Sequence, residues 1–297
     1  MITKTAMVTI TGRPNVGKST LINSLVGEKI SIVSSKPQTT RNRICAILNH
    51  KETQFIFIDT PGYHKPRTKL GDYMVNVVKE SVADVDAAIL MIEPIPNIGE
   101  QEQYLINRIK SLNIPSVLVI NKIDTVKKSE ILSIIDLYKN THNFDSIIPI
   151  CAKSGEGLKE LLQALEKYSI SGPQLFEDGV ITDQPEKQII SEILREKMLI
   201  LLQREVPHGI AVEITKFSER DDGIVDIDAT IYCEKTSHKG IIIGKHGTML
   251  KRIGEMARAD MEKFMGTKVF LQTWVKVKEN WRDSSGTIRN FGYGSDD

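Results

Sequence analysis

The chain has 297 residues, 40% of them hydrophobic and 26% charged, with 39 Lys and Arg against 38 Asp and Glu. That length suits two domains, because single cores tend to split near roughly 100 to 200 residues each. The composition excludes a disordered chain, a net charge of +1 offers no global attraction for a polyanion, and no stretch reaches the roughly 18 apolar residues of a membrane span.

The N-terminal run MITKTAMVTITG reads as a strand entering a turn, with no basic region and long apolar core of a leader. GRPNVGKS at 12–19 follows it and matches the phosphate loop G-x-x-x-x-G-K-[ST]. Gly12 and Gly17 let backbone amides wrap phosphates, with Arg13, Pro14, Asn15 and Val16 forming the loop between them, and the helix beginning near Thr20 adds its dipole. Lys18 is expected to reach the β and γ phosphates and Ser19 to bind Mg²⁺. Residues 30–42, rich in Ser, Pro and Thr, have the polar character of a segment that orders on a γ-phosphate. RNRICAILNHKETQFIFID then holds two strand-like runs around a polar turn at His50-Lys51-Glu52, which predicts one antiparallel edge strand.

DTPG at 59–62 closes a strand, so Asp59 can approach the metal and the Gly62 amide the γ-phosphate, with Thr60 and Pro61 between them. The next position, where many GTP-hydrolysing proteins carry a glutamine that orients water, is Tyr63, which predicts slow intrinsic hydrolysis. AAILMI, PSVLVI and IIPIC are further strands, most followed by helical spacing, and the alternation predicts an α/β unit with a mostly parallel sheet. NKID at 121–124 follows the second of these. Guanine offers two adjacent donors that one carboxylate accepts, and Asp124 is the candidate, with Asn121 bracing the base site and the Lys122 stem lying on the ring. CAK at 151–153 (Cys151, Ala152, Lys153) follows the third strand and places the Ala152 amide at the guanine oxygen.

Residues 171–185, with Pro and Gly and no period, read as a linker between a first domain over 1–170 and a second over 186–297. QIISEILREKMLILLQ is an amphipathic helix, GIAVEITKF and GIVDIDATIY are strands joined by ERDDG, and Ser237 is a candidate cap for a short helix ending at Gly244. A helix over about 248–265 and a strand KVFLQTWVKVK follow, giving an α+β order of helix, strand, strand, helix, helix, strand. Gly244-Lys245-His246-Gly247 lies between the two short-spaced helices, where a G-x-x-G turn lets backbone approach a single strand of nucleic acid. Ile241, Ile242 and Ile243 are divided between core and base groove. Lys245, His246, Lys251 and Arg252 are the candidate phosphate contacts, within a stretch, 235–282, that carries eleven Lys or Arg against four Asp or Glu. Trp274, in a strand, reads as core, while the sequence leaves Trp281 undecided. Cys45, Cys151 and Cys233 form no close pair, which fits a reducing cytoplasm. His50, His64, His142 and His208 show no ligand spacing and read as surface or loop residues.

PNVGKSTL, QTTR at 38–41, DTPG, NKID, IIIGKHG and the tail WRDSSGTIRNFGY together resemble the translation-factor-like P-loop GTPases and, within them, the Era family: bacterial GTPases with a C-terminal type II KH domain. The resemblance covers nearly the whole chain. It implies that Thr40 is the switch threonine on Mg²⁺, with Thr39 the alternative, and that Asn15 holds K⁺ beside the phosphates. Lys18, Asn15, Thr40 and Gly62 would then be the residues acting on GTP. It also implies that the glycine turn and tail bind the 3′ end of 16S ribosomal RNA and that the chain serves assembly of the small (30S) subunit. The chain is read as a cytoplasmic monomer, with a peripheral contact at the inner face of the cell membrane left open, in which nucleotide state and RNA affinity are linked. A GTPase using its basic face on a membrane surface, or an RNA-binding module with GTP as a structural ligand, are the alternatives.

Overall fold

The computed structural model describes residues 2–63, 66–82 and 84–293. It divides into two compact units, the first comprising Met1–Ser31, Thr40–Pro66 and Met74–Asp183. The elements here are β1 (Lys4–Gly12), α1 (Lys18–Val26), β2 (Ile44–His50), β3 (Thr53–Asp59), α2 (Lys69–Glu80), β4 (Ala87–Ile92), α3 (Glu100–Leu112), β5 (Ser116–Ile120), α4 (Lys128–Lys139), β6 (Ser146–Pro149), α5 (Leu158–Glu166) and β7 (Ile170–Ser171). The strands form one sheet in the order β2-β3-β1-β4-β5-β6, with β7 beside β1. β2 runs antiparallel to β3 and β7 antiparallel to β1, and the remaining pairs are parallel.

Every residue of β3, β4 and β5 is buried, as parallel strands covered on both faces must be, which is why they read as unbroken apolar runs. α1 and α5 cover one face through Leu21, Ile22, Leu161 and Leu165. α2, α3 and α4 cover the other through Val78, Leu105, Ile109 and Ile134. Strands β1, β3, β5 and β6 all deliver their C-terminal ends, Gly12, Asp59, Ile120 and Pro149, to one side of the sheet, where ligands of open α/β sheets bind.

The stretch read as a linker is ordered against this unit. Ile47 N–H donates to Ile181 O at 2.9 Å and Thr182 Oγ1 donates to Cys45 O at 2.7 Å, so the segment covers the edge strand β2. Gln54 anchors it further, its Oε1 accepting from the Leu175 and Phe176 amides at 2.9 Å.

The second unit comprises Ile32–Thr39, Arg67–Tyr73 and Gln184–Asp297. Its elements are α6 (Glu186–Leu201), β8 (Ala211–Glu219), β9 (Val225–Cys233), α7 (Thr236–Ile243), α8 (Thr248–Met265), β10 (Val269–Val277) and α9 (Ser285–Asn290). The sheet order is β10-β9-β8, with β10 parallel and β8 antiparallel to β9. Ile190, Ile193 and Leu194 of α6 and Ile253, Ala257 and Met261 of α8 pack on one face. Within this unit the 32–39 segment is tied to α6: Val33 N–H donates to Glu196 Oε1 at 2.9 Å, and the Lys36 ammonium reaches the Leu199 and Leu202 carbonyls.

Two expectations need correction, and one open assignment is decided. The helix of residue 237 begins at Thr236 with Lys235 as its N-cap, so Ser237 lies in the first turn. Trp274 is 45% exposed, because β10 buries Val269 and Val275 and turns 270, 272, 274 and 276 to the uncovered face. Trp281 is instead fully buried, its Nε1–H donating to Gly209 O at 2.9 Å, with Phe291 edge-on and Tyr293 stacked against it. The tail's large aromatics therefore build the core of their own unit. His64 lies outside the described residues, while His50, His142 and His208 are half-buried. Among the described residues no helix is long and apolar enough to cross a membrane, and no group of three or more His, Cys, Asp or Glu could hold a metal.

Candidate functional site

The loop after β1 turns through Asn15 (φ 68°) and Gly17 (φ 104°), and Gly17 is the N-cap of α1. Lys18 is buried, its Nζ donating to Gly12 O at 3.3 Å and Arg13 O at 3.1 Å. Burial lowers its ammonium to about 8, against the opposing pull of the Asp59 carboxylate. Arg13 pairs with Glu102, a carboxylate in the first turn of α3 that is itself 1% exposed. Val16 is fully buried, and Thr20 is half-buried on α1.

Three oxygens converge beneath the loop. Ser19 Oγ donates to Asp59 Oδ2 at 2.9 Å and lies 2.9 Å from Thr40 Oγ1. A hydroxyl has one proton, so with that of Ser19 on Asp59 the Thr40 hydroxyl is the donor of the second bond. Thr39 points elsewhere, its Oγ1 donating to Lys36 O at 2.7 Å. Burial pushes the Asp59 carboxyl up, opposed by Lys18, by the hydroxyls of Ser19 and Ser31 and by the Thr60 amide. Its Oδ1 is buried with no partner of hydrogen-bonding geometry. An all-oxygen set with one orphaned carboxylate oxygen fits a hard divalent cation of the magnesium type. Thr60 Oγ1 donates to Ile10 O at 2.9 Å, Pro61 and Gly62 are buried, and Tyr63 N–H donates to Gly12 O at 3.2 Å. The Tyr63 ring stacks on Tyr104 of α3 with centroids 4.2 Å apart.

Asn121 joins the loops that follow β1, β5 and β6. Its Nδ2 donates to Val16 O at 2.8 Å, and its Oδ1 accepts from Ala152 N–H at 2.9 Å. The Ala152 amide, expected at a guanine oxygen, is thus held by Asn121 in this structure. Lys122 (φ 62°) lays its stem across the same loop, Nζ donating to Asn15 O at 2.8 Å and pairing with Glu93. Asp124 is exposed in the following turn, as is Lys153. Cys151 is buried and contributes backbone, its N–H donating to Glu156 O at 3.0 Å. Glu93 and Glu102, which orient Lys122 and Arg13, escaped the sequence reading because no local spacing links them to the loops they serve.

In the second unit, Gly244 and Gly247 hold φ of 74° and 77° around an exposed Lys245 and His246. Ile242 is fully buried, Ile241 is 49% exposed and Ile243 is half-buried against the core. The turn opens on a groove of about 420 Å³ lined by Gly247, Leu250, Lys251, Gly254, Arg258 and Thr273. Lys251 is exposed in this lining, whereas Arg252 is exposed on α8 outside it. Gly254, Leu250 and Arg258 had a signal that was not used: they share the 3.6-residue face of Gly247 and Lys251.

The family model described as a 50S ribosome-binding GTPase matches residues 7–122, and a KH domain model matches residues 205–282. The chain is 50% identical over 290 residues to GTPase Era of Ruminiclostridium cellulolyticum, covering 98% of this chain and 97% of that protein. It is 48% identical over 297 residues, and the whole of both chains, to GTPase Era of Caldanaerobacter subterraneus subsp. tengcongensis. The chain belongs to the Era family of GTPases. Among solved Era structures, that of a Y63A variant from Aquifex aeolicus bound to GDP and AlF4⁻ superposes with a TM-score of 0.95 at 40% identity, over 98% of this chain and 100% of that one. A second, an Era complex with MgGDPNP and nucleotides 1506–1542 of 16S ribosomal RNA, superposes equally well over 99% of this chain. The chain is accordingly an Era-type GTPase, a P-loop GTPase domain followed by a KH domain.

Proposed function

We propose that this Era GTPase hydrolyses GTP with Mg²⁺ held by Ser19, Thr40 and Asp59, and grips the single-stranded 3′ end of 16S ribosomal RNA in the groove beside Gly244 to Gly247. In this reading Lys18 leaves the Gly12 and Arg13 carbonyls for the β and γ phosphates, and the Gly62 amide donates to the γ-phosphate. Asp124 takes both guanine donors, and the Ala152 amide exchanges Asn121 for the guanine oxygen. Bound Mg²⁺ neutralises charge developing between the phosphates. With Tyr63 stacked on Tyr104, no amide side chain follows Gly62 to orient water, so K⁺ at Asn15 supplies part of the stabilisation that an arginine finger provides elsewhere, an effect of about 10³ to 10⁵ in rate for the finger. Lys245, His246, Lys251 and Arg252 meet phosphates, Ile243 meets bases, and the cellular role is assembly of the small ribosomal subunit in the cytoplasm.

The observation that carries this reading is the pairing, on one chain, of a phosphate loop joined to its metal-site and base-site residues with a groove that starts at Gly247 of a G-x-x-G turn and carries Lys251 and Arg258 beside Glu255. The bound state of the relative solved with MgGDPNP and 16S ribosomal RNA supports it. The test is binding of a short RNA from the 16S 3′ end to wild type and Gly247→Asp, each with GDP and with a non-hydrolysable GTP analogue. Wild-type binding that responds to nucleotide and is lost in the variant is expected. Equal binding by the variant would remove the groove from the proposal.

A further inference from the structure

We infer that Asn23 and Ser31, which belong to none of the motifs, are positioning residues for the metal-binding carboxylate of Asp59. The inference rests on the magnesium site proposed above. Asn23 lies on α1 one turn beyond Ser19 and therefore on the same helix face. Its Oδ1 accepts from the amides of Ile30 at 3.1 Å and Ser31 at 2.9 Å, and its Nδ2 donates to Ser31 O at 2.7 Å. One side chain thus holds the backbone of residue 31 through both its N–H and its carbonyl.

With that backbone fixed and the residue 1% exposed, the Ser31 hydroxyl donates to Asp59 Oδ2 at 3.0 Å. The same oxygen accepts from Ser19 at 2.9 Å, while Oδ1 meets no donor in full hydrogen-bonding geometry among the described residues. Two donors on one oxygen fix the rotation of the carboxylate and leave the other oxygen for the cation. Groups that hydrogen-bond a metal-binding side chain typically influence metal affinity 10 to 100-fold. The clamp also sits where it is most useful, since Ser31 is the last residue of the first unit before the chain leaves it, and Thr40 is the residue at which it returns.

The test is the release rate of a fluorescent GDP from the full-length protein as a function of Mg²⁺ concentration, with an EDTA baseline, for wild type, Ser31→Ala and Asn23→Ala. Both variants should need about tenfold more Mg²⁺ or beyond to slow release, with an unchanged rate in EDTA and wild-type behaviour at saturating Mg²⁺. Because the two residues act in series, the double variant should be no worse than Asn23→Ala alone. Should Asn23→Ala fail to fold, Ser31→Ala, which deletes a single hydroxyl, carries the test. Mg²⁺ curves that superpose on wild type would overturn the inference, and so would release accelerated equally at every Mg²⁺ concentration and in EDTA, which is the mark of a purely structural loop support. Wild-type release indifferent to Mg²⁺ would instead overturn the magnesium reading on which the inference stands.

Discussion

Gly244 and Gly247 share a positive φ but not the same surroundings. A Cβ on Gly244 would lie 2.7 Å from Met249 Cβ and 2.8 Å from Met249 N, whereas one on Gly247 would meet nothing within 4 Å. Gly244→Ala therefore forces the start of α8 to move, and should destabilise the second unit by more than the roughly 1 kcal/mol of a left-handed alanine. Gly247→Ala should stay near that figure, and chemical denaturation of the two variants checks the order. At the base site, Asp124→Asn replaces one acceptor oxygen by a donor that faces a guanine donor. Each hydrogen bond to a charged group is worth about 1.5 to 3 kcal/mol, so GDP affinity should fall about 10²-fold or more by fluorescence titration, while xanthine nucleotides, which present an acceptor there, gain. Residues of this kind were legible because the ligand's chemistry demands their types at short fixed spacings. Glu93, Glu102, Asn23 and Ser31 were not, because each acts on a motif residue through a contact that only the folded chain creates.

The elements were legible wherever period and burial agree, as in β3, β4 and β5, whose apolar runs reflect cover on both faces. Trp274 was misread although the signal was present: Val269 and Val275 two-residue multiples apart set one face of β10, which puts residue 274 on the other. Trp274→Ala should then change stability by no more than about 0.5 kcal/mol. Trp281→Ala, which empties the centre of the aromatic cluster and orphans Gly209 O, should cost about 3 to 5 kcal/mol; urea melts of the pair check that Trp281, and not Trp274, belongs to the core. The loops after β1, β5 and β6 are joined by a single side chain, so Asn121→Ala strands the Val16 carbonyl and the Ala152 amide. A loss of about 1 to 3 kcal/mol in nucleotide-free stability, together with weaker GDP binding, is expected from thermal melts and titration, whereas a residue serving the base alone would leave the melt unmoved.

On the scale of the whole chain, sequence order and spatial membership differ. Residues 32–39 and 67–73 lie among the GTPase motifs in sequence yet group with the KH unit, while Thr40 groups with the nucleotide site. A linear reading could not place them, because membership depends on long-range partners such as Glu196 for Val33. In the proposed function the γ-phosphate acts on Thr40, the residue next to a segment counted in the second unit, and that adjacency would couple nucleotide state to RNA affinity. Such coupling is a free energy shared by the two ligands and must be reciprocal. If the GTP analogue changes the affinity for the 16S 3′ RNA by some factor relative to GDP, saturating RNA must change the ratio of GTP-analogue to GDP affinity by the same factor, commonly about 5 to 150. Two titration series on the full-length protein, RNA into each nucleotide state and each nucleotide with and without RNA, measure both sides. Equal factors that differ from one, in either direction, establish the link. A factor of one on both sides would mean that the placement of residues 32–39 carries no message between the ligands.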